Sequence, residues 1–393
     1  MSCNWRTVKL QEIVLFKTGK LDSNAADEQG IYPFFTCSPV TLAIDNYAFD
    51  TEAVLLAGNN ANGVFAVKYY NGKFNAYQRT YVITPINKSV VSVRWLYFRI
   101  KHVTSELQQM SVGTATKFLT KKILDAYEVQ LPPIEEQERQ AKILWDLQNK
   151  LDLNTQTNQT LEQMAQAIFK SWFVDFDPVK AKINGEQPEG MDAAAAALFP
   201  EKLVESELGL IPEGWKPKQL KDILELAYGK ALKKTDRVEG NVPVYGSGGL
   251  TGYHNQSLVE GPGIIVGRKG TVGSVYWEPK AFYPIDTVFY VKPKTGYSLK
   301  YCHMVLQNLG LKDMNTDAAV PGLNRNNAYR LDVITPNESV LKKFEEMTQS
   351  FQSKVDANNV QNASLESLRD TLLPKLLSGE IVLGQTEEMA EVS

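Results

Sequence analysis

Cysteine and histidine are scarce in this chain of 393 residues, and their scarcity excludes several classes of protein. The three cysteines include no close pair, so we expect neither a disulfide framework nor a thiolate metal cluster. The three histidines stand far apart and lack the spacing of metal ligands. We therefore predict no metal site, and free thiols of this kind fit a reducing cytoplasm.

Long apolar runs are also missing. The N-terminal sequence has no apolar run of signal-peptide length, and no stretch of about 18 apolar residues occurs anywhere. These absences predict a cytoplasmic protein that has no membrane partner.

The motifs of common catalytic sites are absent as well. An adenine-methyltransferase box needs Asp or Asn, two prolines and an aromatic residue. DFDP at 175–178 is only superficially similar to it, since it has a single proline. No phosphate-binding GxxxxGK[ST] occurs, and the glycines of 246–252 lack dinucleotide-binding spacing. No pair of carboxylates has the spacing of a nuclease site. We therefore predict a non-catalytic chain that binds no cofactor of its own.

The charge is unevenly distributed although the net charge is only −3. Residues 1–133 contain 14 Lys and Arg against 10 Asp and Glu, and residues 214–336 contain 16 against 10. The remainder contains 12 against 25. Two basic regions suit a nucleic-acid partner, whereas the acidic remainder would be repelled by it. We expect the acidic remainder to face solvent or a protein partner, with Glu135, Glu136 and Glu138 at such a partner surface.

The chain repeats itself with a period slightly above 200 residues. WRTVKLQEI at 5–13 matches WKPKQLKDI at 215–223, and AVLLA at 53–57 falls on GIIVG at 263–267, both at an offset of 210. Later the offset is 204, since Leu119, Val129 and Pro132 match Leu323, Val333 and Pro336. A collinear series of this length indicates an internal repeat. The alternative is a coincidental similarity between two α/β domains.

Each copy has the same order of parts, which predicts an α+β protein. Short β-branched and aromatic runs between glycine turns indicate strands, a proline closes each mixed segment, and a long helix follows. The predicted boundaries are a first mixed domain at 1–133, a long helix at 134–176, a linker at 177–214, a second mixed domain at 215–336, a second long helix at 337–380 and a flexible acidic tail at 381–393.

The two helices have a heptad pattern that is interrupted by asparagines in the middle of each. We predict that they pair as an antiparallel coiled coil in which the numbers of facing residues sum to about 516, a register that the polar layer would fix. The alternative is that each helix packs on its own domain and the asparagines are solvated. The predicted facing pairs are Leu151 with Leu365, Leu161 with Val355, Ala165 with Phe351 and Asn154 with Asn362, and Asn158 and Asn358 complete the polar layer.

Several phrases, in this order, resemble the specificity subunits of type I restriction-modification enzymes. They are LPPIEEQERQAKIL, SWFVDFDPVKAK, LGLIPEGWK, NVPVYGSGG, GIIVGRKGTVGSVYW and LRDTLLPKLLSGEI. The resemblance covers essentially the whole chain, and its specificity lies in the order of the parts.

The resemblance implies that each mixed domain is a target-recognition domain for one half of a split, asymmetric DNA sequence. The helices would set the spacer and dock two modification subunits, which carry S-adenosylmethionine and methylate adenine. Translocating restriction subunits would join them, with Mg and ATP on those partners. Two alternatives remain, a stand-alone DNA-binding nuclease and a protein-binding scaffold.

Two turns at equivalent positions of the repeat, 58–63 and 268–273, are the leading candidates for DNA contact. Asn suits adenine and Arg suits guanine, so the two turns would read different bases. The alternative is that each is an ordinary hairpin turn. The candidates in the turns are Asn59, Asn60, Asn62, Arg268, Lys269 and Thr271. Further candidates are Lys17, Lys20, Tyr77, Gln78, Arg79, Thr116 and Lys117 in the first copy and Lys230, Lys233, Lys234, Tyr253, His254, Asn255, Asn324, Arg325 and Asn326 in the second.

Overall fold

The computed structural model describes residues 5–61, 63–314 and 322–383, which form a mixed α+β protein. The chain divides into two compact units. The first comprises Met1–Thr155 and Asn359–Ser393, and the second comprises Gln156–Asn358. Each unit therefore contains one half of each long helix, a division that the sequence boundaries did not anticipate.

The first unit is built on a six-stranded sheet in the order β2-β8-β5-β7-β3-β4, with two small pairs, β1-β10 and β6-β9. Its strands are β1 Arg6–Lys9, β2 Val14–Thr18, β3 Tyr32–Phe35, β4 Leu42–Ile44, β5 Phe49–Ala57, β6 Asn59–Asn60, β7 Val67–Ala76, β8 Thr80–Pro85, β9 Lys117–Phe118 and β10 Glu128–Leu131. The helices that begin in it are α1 Leu10–Ile13, α2 Val93–His102, α3 Thr104–Met110, α4 Lys121–Ala126 and the long α5 Ile134–Phe173.

The second unit has a four-stranded sheet in the order β14-β20-β17-β18, a three-stranded sheet β16-β15-β19, and the pairs β13-β21 and β11-β12. Its strands are β11 Leu203–Ser206, β12 Gly209–Pro212, β13 Lys216–Gln219, β14 Leu224–Tyr228, β15 Val242–Gly246, β16 Gly249–His254, β17 Gly263–Gly267, β18 Val275–Glu278, β19 Tyr283–Pro284, β20 Val288–Pro293 and β21 Asp332–Thr335. Its helices are α6 Asp177–Ile183, α7 Ala193–Ala197, α8 Leu220–Ile223, α9 Leu299–Asn308, α10 Arg325–Tyr329 and the first part of the long α11 Glu338–Leu377.

The internal repeat is present in the strand pairing of both units. The order β2-β8-β5-β7 of the first sheet has its counterpart in β14-β20-β17-β18 of the second. The strand that opens each copy also pairs with the strand that precedes its long helix: Val8 faces Val129, and Lys218 faces Val333. The first strand of this pair follows the offset of 210 and the second follows the offset of 204. The two offsets therefore describe one strand pair that occurs in both units.

The apolar runs are strands that are buried on both faces, which is why they do not alternate with polar residues. In β5, Val54 and Leu56 belong to the larger core cluster, whereas Leu55 belongs to a separate cluster on the opposite face. In β17, Ile264 and Ile265 are divided between two clusters in the same way.

Buried polar groups tie the start of α5 to the rest of the first unit. The Trp95 indole Nε1 donates to Gln140 Oε1 at 3.0 Å, and Gln140 Nε2 donates to the Leu376 carbonyl at 3.0 Å and to Glu136 Oε1 at 3.0 Å. Glu136 is only 2% exposed and accepts from Arg139 at 3.0 Å. Since an unpaired buried polar group is costly, this network specifies how the ends of the two helices meet.

The sequence analysis placed Glu136 at a partner surface. That prediction is wrong, because the side chain is buried. Its carboxylate accepts hydrogen bonds from Arg139 and Gln140, which lie one helical turn away on the same face. Glu135 and Glu138 are exposed.

The second unit has apolar side chains where the first has polar ones. At the repeat offset of 204, Gln140 is replaced by Phe344 and Glu136 by Val340, both fully buried. Tyr301 corresponds to Trp95, because each is the third residue of its helix and its amide donates to the serine that caps that helix. The rings that surround Phe344, with centroids between 5.1 and 6.4 Å from it, are Phe169, Trp172, Phe173 and Tyr301.

The asparagine layer is hydrogen-bonded between the two helices in both units. In the first unit, Asn154 Nδ2 donates to Asn362 Oδ1 at 2.8 Å, the partner that the sequence register assigned to it. In the second unit, Asn358 Nδ2 donates to Asn158 Oδ1 at 2.8 Å. Asn154 is 2% and Asn358 3% exposed, so these two side chains are not solvated.

The other residues of the predicted facing pairs are buried or half-buried. Leu151 is buried in the first unit, while Leu161, Val355 and Leu365 are half-buried. Ala165 and Phe351 belong to one core cluster of the second unit.

Part of the predicted acidic tail is packed rather than free. Ile381 and Leu383 lie against the core of the first unit, and the Leu383 amide donates to Glu136 at 3.3 Å. Residues 384–393 of that tail lie outside the described residues. Within the described part of the chain, no helix is long and apolar enough to cross a lipid bilayer.

Replacing Gln140 with Ala should destabilise the protein by about 1–3 kcal/mol, because the buried Trp95 indole N–H then loses its acceptor. Urea unfolding followed by fluorescence measures the change. Gln156→Ala, at an exposed position of the same helix, is the control and should change the free energy of unfolding by less than about 0.5 kcal/mol. Equal effects of the two substitutions would contradict the role assigned to Gln140.

Candidate nucleic-acid interface

In each unit, loops meet at one edge of the main sheet because neighbouring strands run antiparallel. In the first unit, β2 and β5 end where β8 begins, with Thr18 facing Tyr81 and Ala57 facing Thr80. We call the loops there the first loop edge, residues 18–20, 58–61, 77–79 and 116–118. In the second unit, β14 and β17 end where β20 begins. The loops there are the second loop edge, residues 228–230, 268–271, 284–287 and 322–326.

The same two backbone hydrogen bonds hold both edges together. The Gly58 amide donates to the Arg79 carbonyl at 2.8 Å, and the Leu119 amide donates to the Gly58 carbonyl at 2.8 Å. In the second unit, the Arg268 amide donates to Thr287 at 2.9 Å and the Leu323 amide donates to Arg268 at 2.8 Å. The two edges therefore share a backbone framework while their side chains differ.

A glycine at each edge allows two loops to approach closely. A Cβ on Gly19 would lie 1.6 Å from the Ala76 carbonyl oxygen, and one on Gly229 would lie 2.1 Å from the Ile285 oxygen. No other residue fits without a shift of the backbone. The lysines that follow, Lys20 and Lys230, are exposed beside these contacts.

The asparagines of the first loop edge are in a short strand rather than in a simple turn. Asn59 and Asn60 form β6, which pairs with Phe118 and Lys117. The Asn59 Oδ1 atom is buried and has no hydrogen-bond partner among the described residues. Bidentate reading of adenine needs both amide atoms at the surface, which Asn59 does not offer in this conformation. Asn62 lies outside the described residues.

Other candidates of the first loop edge are exposed or half-exposed. Arg79 is exposed and its guanidinium lies 5.4 Å from the Phe118 ring centroid, while Lys117 is half-buried. Gln78 is exposed and donates to Asp22 at 3.2 Å. The structure thus brings Gln78, Arg79 and Lys117 together with the β6 asparagines.

The second loop edge contains a cleft of about 320 Å³ that brings several predicted residues together. Arg268 donates from Nε and Nη2 to the Asp286 carbonyl at 3.2 and 2.6 Å. Lys269 also lines the cleft. The full lining is Tyr228, Arg268, Lys269, Phe289, Gly322, Leu323, Asn324, Arg325 and Asn326.

Four candidates of the second copy have other surroundings. Asn324 caps α10, because its Oδ1 accepts from the Asn326 and Asn327 amides at 2.9 and 3.3 Å. Tyr253 and Asn255 are exposed at the end of β16 and do not line the cleft. Thr271 is exposed, and its amide donates to Ser247 Oγ at 3.4 Å.

Tyr228 is the residue of the second loop edge that the sequence analysis missed. It ends β14, is 50% exposed, and its ring lies 5.2 Å from the Arg268 guanidinium and 4.7 Å from that of Arg325. The available signal was its position directly before Gly229, the glycine that the repeat aligns with Gly19.

Electrostatics at the two edges is dominated by lysines and arginines on exposed loops. Among the residues that the structure describes, no group of three or more His, Cys, Asp or Glu side chains could hold a metal ion. The geometry suits contact with a polyanion through cations and amides, the residue types that bind DNA phosphates and base edges.

Comparison with known proteins agrees with this geometry. The family model of the type I restriction modification DNA specificity domain matches residues 3–163 and 212–357. The HindI specificity subunit of Haemophilus influenzae is 28% identical over 371 residues, covering 76% of this chain and 80% of its own length. The EcoDI specificity subunit of Escherichia coli is 35% identical over 234 residues, covering 57% of this chain and 50% of its own length.

A solved structure shares the fold. The crystal structure of a type I restriction-modification S subunit from M. genitalium has a TM-score of 0.63 and 18% sequence identity, and the alignment covers 95% of this chain and 96% of that one.

The two matched segments define a DNA-specificity protein with two copies of one domain. The chain belongs to the family of specificity subunits of type I restriction-modification enzymes, which confirms the function predicted from its sequence.

Proposed function

We propose that each loop edge reads one half of a split duplex DNA target, and that the chain itself is non-catalytic. The observation that carries the proposal is the pair of equivalent edges, which have the same backbone hydrogen bonds and different exposed side chains. A shared framework positions two readers alike, whereas different side chains give them different base preferences.

The side chains available for base contact are exposed at both edges. Gln78 and Arg79 are exposed at the first loop edge, and Lys269 and Thr271 are exposed at the second. Amide, hydroxyl and cationic groups are the types that read base edges in the major groove. Since each loop follows a sheet with a buried core, these groups stand on rigid supports.

We propose further that α5 and α11 pair as an antiparallel coiled coil and thereby set the spacer between the two half-sites. Each helix has 40 residues, about 60 Å at 1.5 Å per residue. Half-sites on one face of a duplex lie about 34–36 Å apart, which helices of this length can span. The hydrogen bonds of the asparagine layer support the register.

The catalytic chemistry is assigned to partners. We propose that two modification subunits, which would bring S-adenosylmethionine, dock on this chain, and that restriction subunits with Mg and ATP join them in the cytoplasm. Exposed acidic residues such as Glu135 and Glu138 remain candidates for contact with such partners.

Co-expression of this chain with its modification subunit should produce N6-methyladenine in one split motif, two short blocks around a fixed number of unspecified bases. Genome-wide mapping of N6-methyladenine in a host without other methyltransferases measures this, with the modification subunit alone as the control. A stable complex that methylates a continuous motif, or none, would count against the proposed function.

Substitutions at one loop edge should change only one block of that motif. Lys269→Ala with Thr271→Ala should relax the block read by the second unit, and Gln78→Ala with Arg79→Ala the other, because each base contact contributes about 1–3 kcal/mol of discrimination. The two double variants are matched controls for each other in the same methylation assay. A change in both blocks from either variant would refute the assignment of one edge to one half-site.

The proposed register predicts a disulfide between Asn154→Cys and Asn362→Cys, whose native side chains are hydrogen-bonded at 2.8 Å. Mild oxidation followed by peptide mass spectrometry detects the bond. The control combines Asn154→Cys with Arg369→Cys, which is displaced by seven residues or about 10 Å along α11. Efficient crosslinking in the control, or none in the first pair, would contradict the register.

A further inference from the structure

Two guanidinium groups lie on one tyrosine ring in the second loop edge. The Arg268 group is 5.2 Å and the Arg325 group 4.7 Å from the centroid of Tyr228. Within residues 5–61, 63–314 and 322–383, neither arginine has a carboxylate within 4 Å. The ring attracts each cation, and both arginines line one cleft, where their like charges favour a bound anion.

Both guanidinium groups are fixed by the backbone of neighbouring strands and loops. Arg268 donates to the Asp286 carbonyl at 2.6 Å, and Arg325 Nη1 donates to the Leu226 carbonyl at 3.5 Å. The Arg325 Nε atom is buried and has no hydrogen-bond partner among the described residues. Lys269 is among the residues that line the same cleft.

The first unit provides an internal comparison, since neither of its equivalent positions has a cation without a paired carboxylate. Gly58 stands where the repeat places Arg268, and Lys121 stands where it places Arg325. Lys121 forms an ion pair with Asp125 at 2.7 Å, whereas the residue equivalent to Asp125 in the second unit is Tyr329. Of these two pairs of equivalent positions, only those of the second unit have cations without a paired carboxylate in the described structure.

We propose that the cleft of Tyr228, Arg268 and Arg325 binds a backbone phosphate of the DNA, so that Arg268 positions the duplex and does not read guanine. The inference rests on the proposed function. A phosphate supplies the anion that the two cations lack, whereas a guanine edge is neutral. The Nε side of Arg268 already donates to Asp286, which leaves its other donors for a phosphate oxygen.

The test is the salt dependence of DNA binding by the full chain and by Arg268→Gln/Arg325→Gln. The affinity for a duplex that contains the recognised motif and the affinity for a duplex that lacks it are measured between 50 and 200 mM salt. Loss of one phosphate contact should lower the slope of log affinity against log salt by about 0.9. Over this range the affinity of the variant should fall about 3.5-fold less than that of the native chain, on both duplexes.

Two control variants separate charge from base reading. Arg268→Lys/Arg325→Lys keeps both charges and should retain the slope, which counts neutralised phosphates, and the methylation motif, while the affinity falls because lysine does not reproduce the stacked contacts of arginine. Lys121→Gln at the compensated position of the first unit should leave the slope nearly unchanged.

A second measurement uses the native chain and is independent of the folding of any variant. Neutral methylphosphonate linkages, placed one at a time in the second unit's half-site, should weaken binding most at one position. The Gln variant, if it folds, should be insensitive to that linkage.

Three outcomes would overturn the proposal. One is an unchanged slope in the Gln variant, and another is a methylation motif altered at one base in the Lys variant, which would make Arg268 a base reader. The third is a native chain that binds neither duplex at any salt concentration, a result that would also count against the proposed function.

Discussion

The pairing register of the two long helices is the constraint on which the rest of the structure depends. In the first unit, Gln140 bonds to Leu376 and Asn154 to Asn362, and in the second unit Asn358 bonds to Asn158. The numbers in every pair sum to 516. Shifting either helix by one turn would leave several buried amides without partners, each at a cost of about 1–3 kcal/mol. Apolar contacts alone tolerate such shifts better, because one leucine can replace another.

The two copies of the repeat have diverged in groups of residues and not one residue at a time. Where the first unit buries Trp95, Gln140 and Glu136, the second buries Tyr301, Phe344 and Val340. A buried amide is stable only with its donor and acceptor in place, so removing one member of the polar network would leave the others unsatisfied. The aromatic cluster of the second unit is the coherent alternative. Beside the loop edges, residues have likewise changed in pairs, since Asp125 accompanies Lys121 in the first unit and Tyr329 accompanies Arg325 in the second.

The sequence predicted most features that depend on periodicity. The helices, expected at 134–176 and 337–380, run from Ile134 to Phe173 and from Glu338 to Leu377. The facing asparagines followed from the heptads, because a helix face is a local property of the sequence. Features that depend on distant contacts were not predictable in this way. The burial of Glu136 and Gln140 depends on Trp95, the Leu376 carbonyl and the Leu383 amide, and the pairing of Asn59 depends on Phe118.

The distribution of charge separates the scaffold from the loop edges. The two helices together contain 9 basic and 12 acidic residues, whereas residues 174–213 between them contain 3 and 9, so this segment has about twice the acidic excess of both helices together. The helices are therefore close to neutral, and their stability rests on packing and amide pairs. Uncompensated positive charge is costly inside a scaffold but useful at an exposed edge, where an anion can offset it. The cleft of Tyr228 places two such cations on a sheet edge whose core is already complete, so a ligand can bind there without rearranging the fold.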